Sequence, residues 1–245
     1  MMPWLVACVL VLLWQLGCVL FAVPTNILPS PSAIGAALLR FGPLIGEEAA
    51  HTLVATLAGF IVAASVGLVT GAAIGASPLV YSGLYGLLVA FNSVPKVALV
   101  PVFVVWFGIG KMPAILTAFS LSFFPVVVAV ATALATIEPE VSDVLRSLGA
   151  TRLQILVKIG MPRSLPFYLA SLKVAVTLAF VGAITSETVA SNNGIGAMMI
   201  AAASDFNVAL VFAAVVVVGA LGVVMYALFA IAEARFTFWA RRGAD

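Results

Sequence analysis

The side chains that could do chemistry are few in this sequence, and they do not converge on a reaction. There is one histidine, His51, and the two cysteines, Cys8 and Cys18, lack the spacing of a metal or redox site. An enzyme needs a convergent set of acids, bases or nucleophiles, whereas the nine acidic residues are scattered. The sequence has no GxxxxGK[ST] phosphate-binding loop. We therefore predict neither enzymatic ATP hydrolysis nor a bound cofactor or metal for this chain.

Three polar residues remain candidates because they lie in or beside long apolar runs: Asn92, Lys96 and Glu187. Ionisable residues within membrane segments tend to be functional. For Glu187 two interpretations stay open: solute contact or gating, and an interface carboxylate with a local hydrogen-bond partner. Lys96 could hold an anionic solute, although a structural role near the cytoplasmic interface is favoured. All three are candidates for a translocation pathway or gate.

The composition places these residues in a membrane protein. Apolar residues make up 64% of the chain and charged residues 8%, whereas a soluble domain has about a quarter of its residues charged. Runs near the 20 residues that a spanning helix needs predict an all-α membrane protein with about six transmembrane helices, as one domain over 1–245. We expect the first run to be a retained helix, since it is longer than a signal-peptide core. The runs are 3–23, 52–76, 84–107, 113–135, 169–190 and 207–232.

Basic residues predict the orientation of the bundle. They concentrate between the fourth and fifth runs and after the sixth, whereas the opposite side has only Arg40 and Lys111. By the positive-inside tendency, the basic side is cytoplasmic, and both termini then lie there. No basic cluster with interleaved aromatics indicates nucleic-acid binding. The cytoplasmic set is Arg146, Arg152, Lys158, Arg163, Lys173 at the start of the fifth run, Arg235, Arg241 and Arg242.

The third run is irregular because Pro95 and Pro101 interrupt it. An internal proline removes a backbone hydrogen bond and kinks or breaks a helix. Two arrangements fit the pattern: residues 81–93 lie along the cytoplasmic interface before a short span, which we favour, or the whole run spans with a kink. In the second run, Gly67, Gly71 and Gly75 share one helical face, which predicts close helix packing.

The polar stretch 138–166 between the fourth and fifth runs is patterned as two short helices. Pro139 can open the first helix, and four apolar residues, Val141, Val144, Leu145 and Leu148, form one stripe. Gly149 is predicted to end this helix in the left-handed conformation. Thr151 is predicted to start the second helix with Gln154 as its capping-box partner, and Pro162 to stop it.

This stretch resembles the cytoplasmic EAA loop of ABC importer permeases. The family signature runs Glu-Ala-Ala, three residues, Gly, nine residues, Ile, one residue, Leu-Pro. Here Asp143-Val144-Leu145 stands in the first place, followed by Gly149, Ile159 and Met161-Pro162 at the family's spacings. The string Arg146-Ser147-Leu148-Gly149-Ala150-Thr151-Arg152 is also typical of the family. The departures are Ala-Ala to Val-Leu, Glu to Asp and Leu to Met, all of which preserve charge or apolarity.

Other segments resemble the subfamily for aliphatic sulfonates, taurine, nitrate and related small solutes. They are Ile27–Ser32, Val94–Pro101, Trp106–Gly110 and Glu187. The resemblance implies a type I-like importer permease in which loop 138–166 is the coupling helix that contacts the ATPase. The implied coupling residues are Asp143, Arg146, Leu148, Gly149, Ala150, Thr151, Arg152, Ile159, Met161 and Pro162.

The resemblance also implies the partners of the chain. These are two ATPase subunits that bind ATP and Mg²⁺, a second permease subunit that makes a homodimer, an extracytoplasmic solute-binding protein, and the lipid of a bacterial or archaeal cytoplasmic membrane. The alternative is a self-contained secondary transporter or channel. Such proteins often show inverted repeats and buried ion-coupling carboxylates; the sequence shows no convincing repeat, and Glu187 is the one candidate carboxylate.

Overall fold

The computed structural model describes residues 2–136 and 139–237, and over these ranges the chain consists of helices and connecting turns. Glu138, Arg241 and Arg242 lie outside the described residues. The elements in order are α1 Met2–Leu20, α2 Pro31–Gly75, α3 Pro78–Ser93, a 3₁₀ turn Lys96–Leu99, α4 Val100–Phe107, α5 Lys111–Ala135, α6 Pro139–Ser147, α7 Arg152–Ile155, a π turn Leu156–Gly160, α8 Met161–Ala190, α9 Ile195–Ser204 and α10 Val208–Phe236.

Within the described part of the chain, four helices are long and apolar enough to cross a membrane: α2, α5, α8 together with the preceding segment from Leu153, and α10. The bent pair formed by α3 and the segment Lys96–Phe107 gives a fifth candidate span. Helix α1 is shorter over its fully described part, Leu5–Leu20. The all-α membrane fold is thus confirmed with four or five candidate spans, and the count of six stays a prediction.

Helix α2 begins about twenty residues earlier than the start at 52 that the apolar run predicted. Ser30 caps it by accepting a hydrogen bond from the Ala33 N–H at 3.3 Å, and Pro31 occupies the first turn. Polar residues at 47, 48 and 51 stand just before the apolar run, but charged side chains do not end a helix. At 45 residues, α2 is about 65–70 Å long, more than twice the thickness of a bilayer core.

Helix α5 lies at the centre of the main apolar core, between α2 and α8. The close packing predicted at the glycines of α2 is confirmed, because a Cβ at Gly71 would lie 2.8 Å from the Val127 carbonyl and one at Gly75 2.7 Å from that of Ala131. Val126, Val127, Val130 and Ala131 of α5 are fully buried. Small residues on one helix therefore let the backbones of α2 and α5 approach closely.

A second apolar core lies beside the first and contains a helix that the sequence did not predict. Helix α9 contributes Ile195 and Met198, which pack against Ile34 and Ile45 of the early part of α2. The start of α10 completes this core with Leu210, Ala213 and Ala214. A short turn over residues 191–194 leads directly into α9, which begins at Ile195.

The third apolar run is broken between two helical segments, and the position of residues 81–93 along the cytoplasmic interface stays a prediction. Helix α3 ends at Ser93, and the segment from Lys96 to Phe107 is bent by 73° against it. Val94 is extended (φ −67°, ψ 128°), since a residue that precedes proline is disfavoured in the helical conformation. None of the residues of α3 is buried.

Candidate functional site

The candidate coupling loop begins with a helix that ends as predicted at Gly149. Its φ of +85° is left-handed, a conformation that glycine adopts without strain. The Gly149 N–H donates to the Arg146 carbonyl at 2.9 Å, and the Ala150 N–H donates to that of Leu145 at 3.0 Å. These two bonds form a Schellman motif that satisfies the last carbonyls of α6.

The predicted capping box at Thr151 is also confirmed. The Gln154 N–H donates to Thr151 Oγ1 at 3.3 Å, and the Thr151 N–H donates to Gln154 Oε1 at 2.8 Å. The two caps fix the chain direction on both sides of Gly149, and α6 and α7 consequently form a helix pair with a defined corner.

The prediction that Pro162 stops the second helix is wrong. Helix α7 continues through the π turn into α8, and Pro162 lies in the first turn of α8. In the π turn the Met161 N–H donates to the Leu156 carbonyl, five residues earlier. The wider turn accommodates the proline ring, which would clash with the i−4 carbonyl of a regular helix. The helix therefore begins well before 169, and the start of the fifth crossing at 169 stays a prediction.

The corner at Gly149 has an apolar concavity of about 400 Å³. Among the described lining residues Lys158 is the charged one, and Leu148, also in the lining, is 77% exposed. Exposed apolar side chains on a polar loop are characteristic of an interaction surface. The lining residues are Leu145, Leu148, Gly149, Ala150, Gln154, Ile155, Lys158 and Ile159.

The other predicted coupling residues belong to the helices before and after this concavity and are not among the described residues that line it. Asp143 and Arg146 lie on the exposed surface of α6, 3.7 Å apart, an exposed pair that contributes little to stability. Met161 and Pro162 begin α8. The backbone of Arg152 begins α7, and its side chain lies outside the described atoms.

Two of the three pathway candidates are brought together at the break between α3 and α4. Lys96 Nζ donates to Asn92 Oδ1 at 2.8 Å and to the Asn92 carbonyl. The same ammonium lies 4.8 Å from the centre of the Phe124 ring of α5, a cation–π distance. The structure thus places a half-exposed cation beside an amide, and no described contact joins this pair to Glu187.

Glu187 lies in a buried polar cluster at the end of α8, where it is 3% exposed. Its Oε2 accepts hydrogen bonds from Thr52 Oγ1 at 2.8 Å and from the Gly196 N–H at 3.1 Å. Thr52 Oγ1 accepts from the Ile195 N–H at 2.9 Å, and Glu48 accepts from the Gly194 N–H. Two interpretations of Glu187 were left open, and the geometry shows the carboxylate with local hydrogen-bond partners. The sequence did not single out Glu48 or Thr52, although their i, i+4 spacing places them on one helical face.

Lys173 lies inside α8, and its predicted position at the start of the fifth crossing stays a prediction. Its ammonium forms an ion pair with Glu233 of α10, and both side chains are mostly buried, 21% and 15% exposed. It also lies 6.0 Å from the centre of the Tyr226 ring. This ion pair joins α8 to α10.

A bundle of apolar helices with one capped, surface-exposed helix pair and isolated buried polar contacts has the organisation of a multi-pass membrane transport subunit. Residues 56–238 match the model of the family described as binding-protein-dependent transport system inner membrane component. The chain belongs to this family, the ABC importer permeases, whose ATPase is a separate subunit.

Similar proteins agree with this assignment. The chain is 29% identical to a probable ABC transporter permease protein of Haemophilus influenzae, over 91% of each chain. It is 29% identical to a formylaminopyrimidine transport permease of Halalkalibacterium halodurans, over 92% of this chain and 90% of the relative. It is 27% identical to a putative aliphatic sulfonates transport permease of Bacillus subtilis, over 96% and 86%. The fold is similar to that of a chain of the MetNI methionine ABC transporter in an inward-facing conformation, with a TM-score of 0.62 and 20% identity over 79% of this chain and 94% of that one.

Proposed function

We propose that this chain forms the solute pathway of an ATP-driven importer and that residues 138–166 couple it to the ATPase. The observation that carries the proposal is the doubly capped corner at Gly149 with its exposed apolar concavity. A rigid corner with an apolar surface can dock against a partner without the entropy cost of ordering a flexible loop. The polar rim, with Lys158 and Arg146, supplies contacts that orient the docking.

The same proposal assigns the sides of the membrane and the partners. The coupling loop and both termini face the cytoplasm, with two ATPase subunits that bind ATP and Mg²⁺. A second copy of the chain completes the pathway, and an external binding protein delivers the solute. The absence of any buried residue in α3 supports a partner helix on that side of each subunit.

The solute is proposed to be a small anionic or polar organic compound such as a sulfonate, nitrate or taurine. The relatives carry names with different solutes, an aliphatic sulfonate and a formylaminopyrimidine. The Lys96 ammonium with the Asn92 amide offers a cation and a hydrogen-bonding group at a break in the helices. Broken helices in membranes are tolerated where they line a cavity, which favours a position on the pathway.

The test is copurification of the ATPase with loop variants. Leu148→Glu puts a charge on the rim of the concavity and is expected to abolish ATPase binding. Leu153→Glu is the matched control, because Leu153 is similarly exposed, 69%, but does not line the concavity. Equal ATPase binding by both variants would refute the assignment of the loop. Accumulation of solute against a gradient by vesicles that contain this chain alone would instead support a secondary transporter.

A further inference from the structure

The two apolar cores meet at the polar cluster around Glu187. The main core joins the second half of α2 to α5 and α8, and the second core joins the first half of α2 to α9 and the start of α10. Apolar contacts alone would leave the relative position of the two cores weakly fixed, because such contacts are non-directional. The directional contacts between them come from Glu48 and Thr52 of α2 and Glu187 of α8.

These three side chains hold the start of α9 through its backbone. The N–H groups of Gly194, Ile195 and Gly196 donate to Glu48, Thr52 and Glu187 respectively. Helix N-termini have N–H groups without intrahelical partners, and here other helices satisfy them. A Cβ at Gly194, where φ is +102°, would collide with the Glu187 carboxylate. We call this set of contacts the α9 clasp.

A buried hydroxyl group of α2 beside the clasp makes no hydrogen bond with any described residue. It is Thr56 Oγ1, one helical turn from Thr52 on the same face of α2. Thr56 is fully buried, 0% exposed. Buried polar groups without a partner are uncommon and costly. A clasp that exchanges partners in a second conformation accounts for this hydroxyl, since Thr56 can replace Thr52 when the hydrogen bonds to α9 are released.

We propose that Glu187 is a positioning residue for transport, which holds α9 in the present conformation and releases it when the bundle changes state. The proposal rests on the proposed importer function. In the released state, the Glu187 carboxylate accepts a hydrogen bond from Thr56 in place of Thr52. The carboxylate thus keeps a hydroxyl donor in both states, whereas the three N–H groups of α9 lose their side-chain partners, so the change of state of the bundle has to drive the release.

The experiment measures the distance between α9 and α5 in the complex with its ATPase. Spin labels at Ser204→Cys and Met112→Cys are introduced with Cys8→Ser and Cys18→Ala, and distances are compared without nucleotide and after trapping with ATP and vanadate. We expect a nucleotide-dependent shift in the parent chain. Glu187→Leu should lose the shift, whereas Glu187→Gln should keep it, because the amide oxygen still accepts both hydrogen bonds.

Two further variants separate this inference from a purely structural role. Thr56→Val removes a hydroxyl that has no described partner and keeps the shape of the side chain, so a structural role predicts an unchanged or raised melting temperature and an unchanged shift. An exchange of hydrogen-bond partners predicts the same melting temperature but a smaller nucleotide-dependent shift in the α9–α5 distance. Thr52→Val replaces Glu187→Leu if the latter does not assemble, since it keeps the shape of the side chain.

The outcomes also separate the two proposals. A chain that fails to bind the ATPase refutes the importer function, and this inference with it. If the ATPase binds and hydrolyses ATP, a parent chain without any shift, or an undiminished shift in Glu187→Leu or Thr52→Val, overturns the clasp alone. A label pair at Met112→Cys and Val189→Cys, both on helices of the main core, is the control and should keep its distance in both states.

Discussion

Gly149→Asp should abolish ATPase coupling while the chain still assembles in the membrane. A Cβ at Gly149 meets no atom within 4 Å, so the substitution causes no clash within the chain. Its local costs are the left-handed φ of +85°, about 1–2 kcal/mol for a residue with a Cβ, and a carboxylate at the negative end of α6, about 0.3–1 kcal/mol. The combined cost of roughly 1–3 kcal/mol is enough to distort the corner. The distortion stays within a loop outside both apolar cores.

The assay compares Gly149→Asp with Gly149→Asn, which has nearly the same size and the same backbone cost in the left-handed conformation but carries no charge. ATPase copurification and ATP-driven uptake by the reconstituted complex are measured together with the amount of chain in the membrane. We expect Asn to retain most of the coupling and Asp to lose it. Normal uptake with Gly149→Asp would show that the corner does not face the ATPase.

Three further predictions concern packing, charge and the pathway. Gly71→Val should lower the melting temperature, because its side chain would meet a carbonyl of α5 at 2.8 Å at a cost of about 1–3 kcal/mol; Gly46→Val, which meets nothing within 4 Å, is the control. Lys173→Met should destabilise the chain by about 3 kcal/mol or more, because it leaves Glu233 buried without a cation, and adding Glu233→Leu should restore the melting temperature. Lys96→Met should reduce uptake of anionic solutes about tenfold, the equivalent of 1.4 kcal/mol, whereas Lys96→Arg should not; equal uptake in both would contradict the pathway assignment.

The sequence predicted those features whose cause is local. The end of α6 at Gly149 and the Thr151 capping box depend on residues within three or four positions, and both occur as predicted. The packing face of Gly67, Gly71 and Gly75 follows from helical periodicity alone. The break after Ser93 follows from the restriction that Pro95 places on Val94.

The features that were missed depend on contacts between distant residues. Helix α9 is ten residues long and gives a weak pattern, and its start is fixed by side chains of α2 and α8. The continuation past Pro162 depends on a π turn, which no local pattern here indicates. The role of Lys173 depends on Glu233, sixty residues later, and apolar run length cannot reveal such a pair.

Helix α8 connects the coupling loop to the α9 clasp as one continuous rod. From Met161 to Ala190 it has 30 residues and is about 45 Å long. Its middle is packed against α5 through Ala175, Val176 and Ala179, which are fully buried. A close-packed rod of this kind does not bend to absorb a displacement. The π turn lies before Met161, so a displacement of the loop that is transmitted through this turn moves α8 and α5 together and reaches Glu187, whose hydrogen bonds to α2 and α9 lie at the far end of the rod.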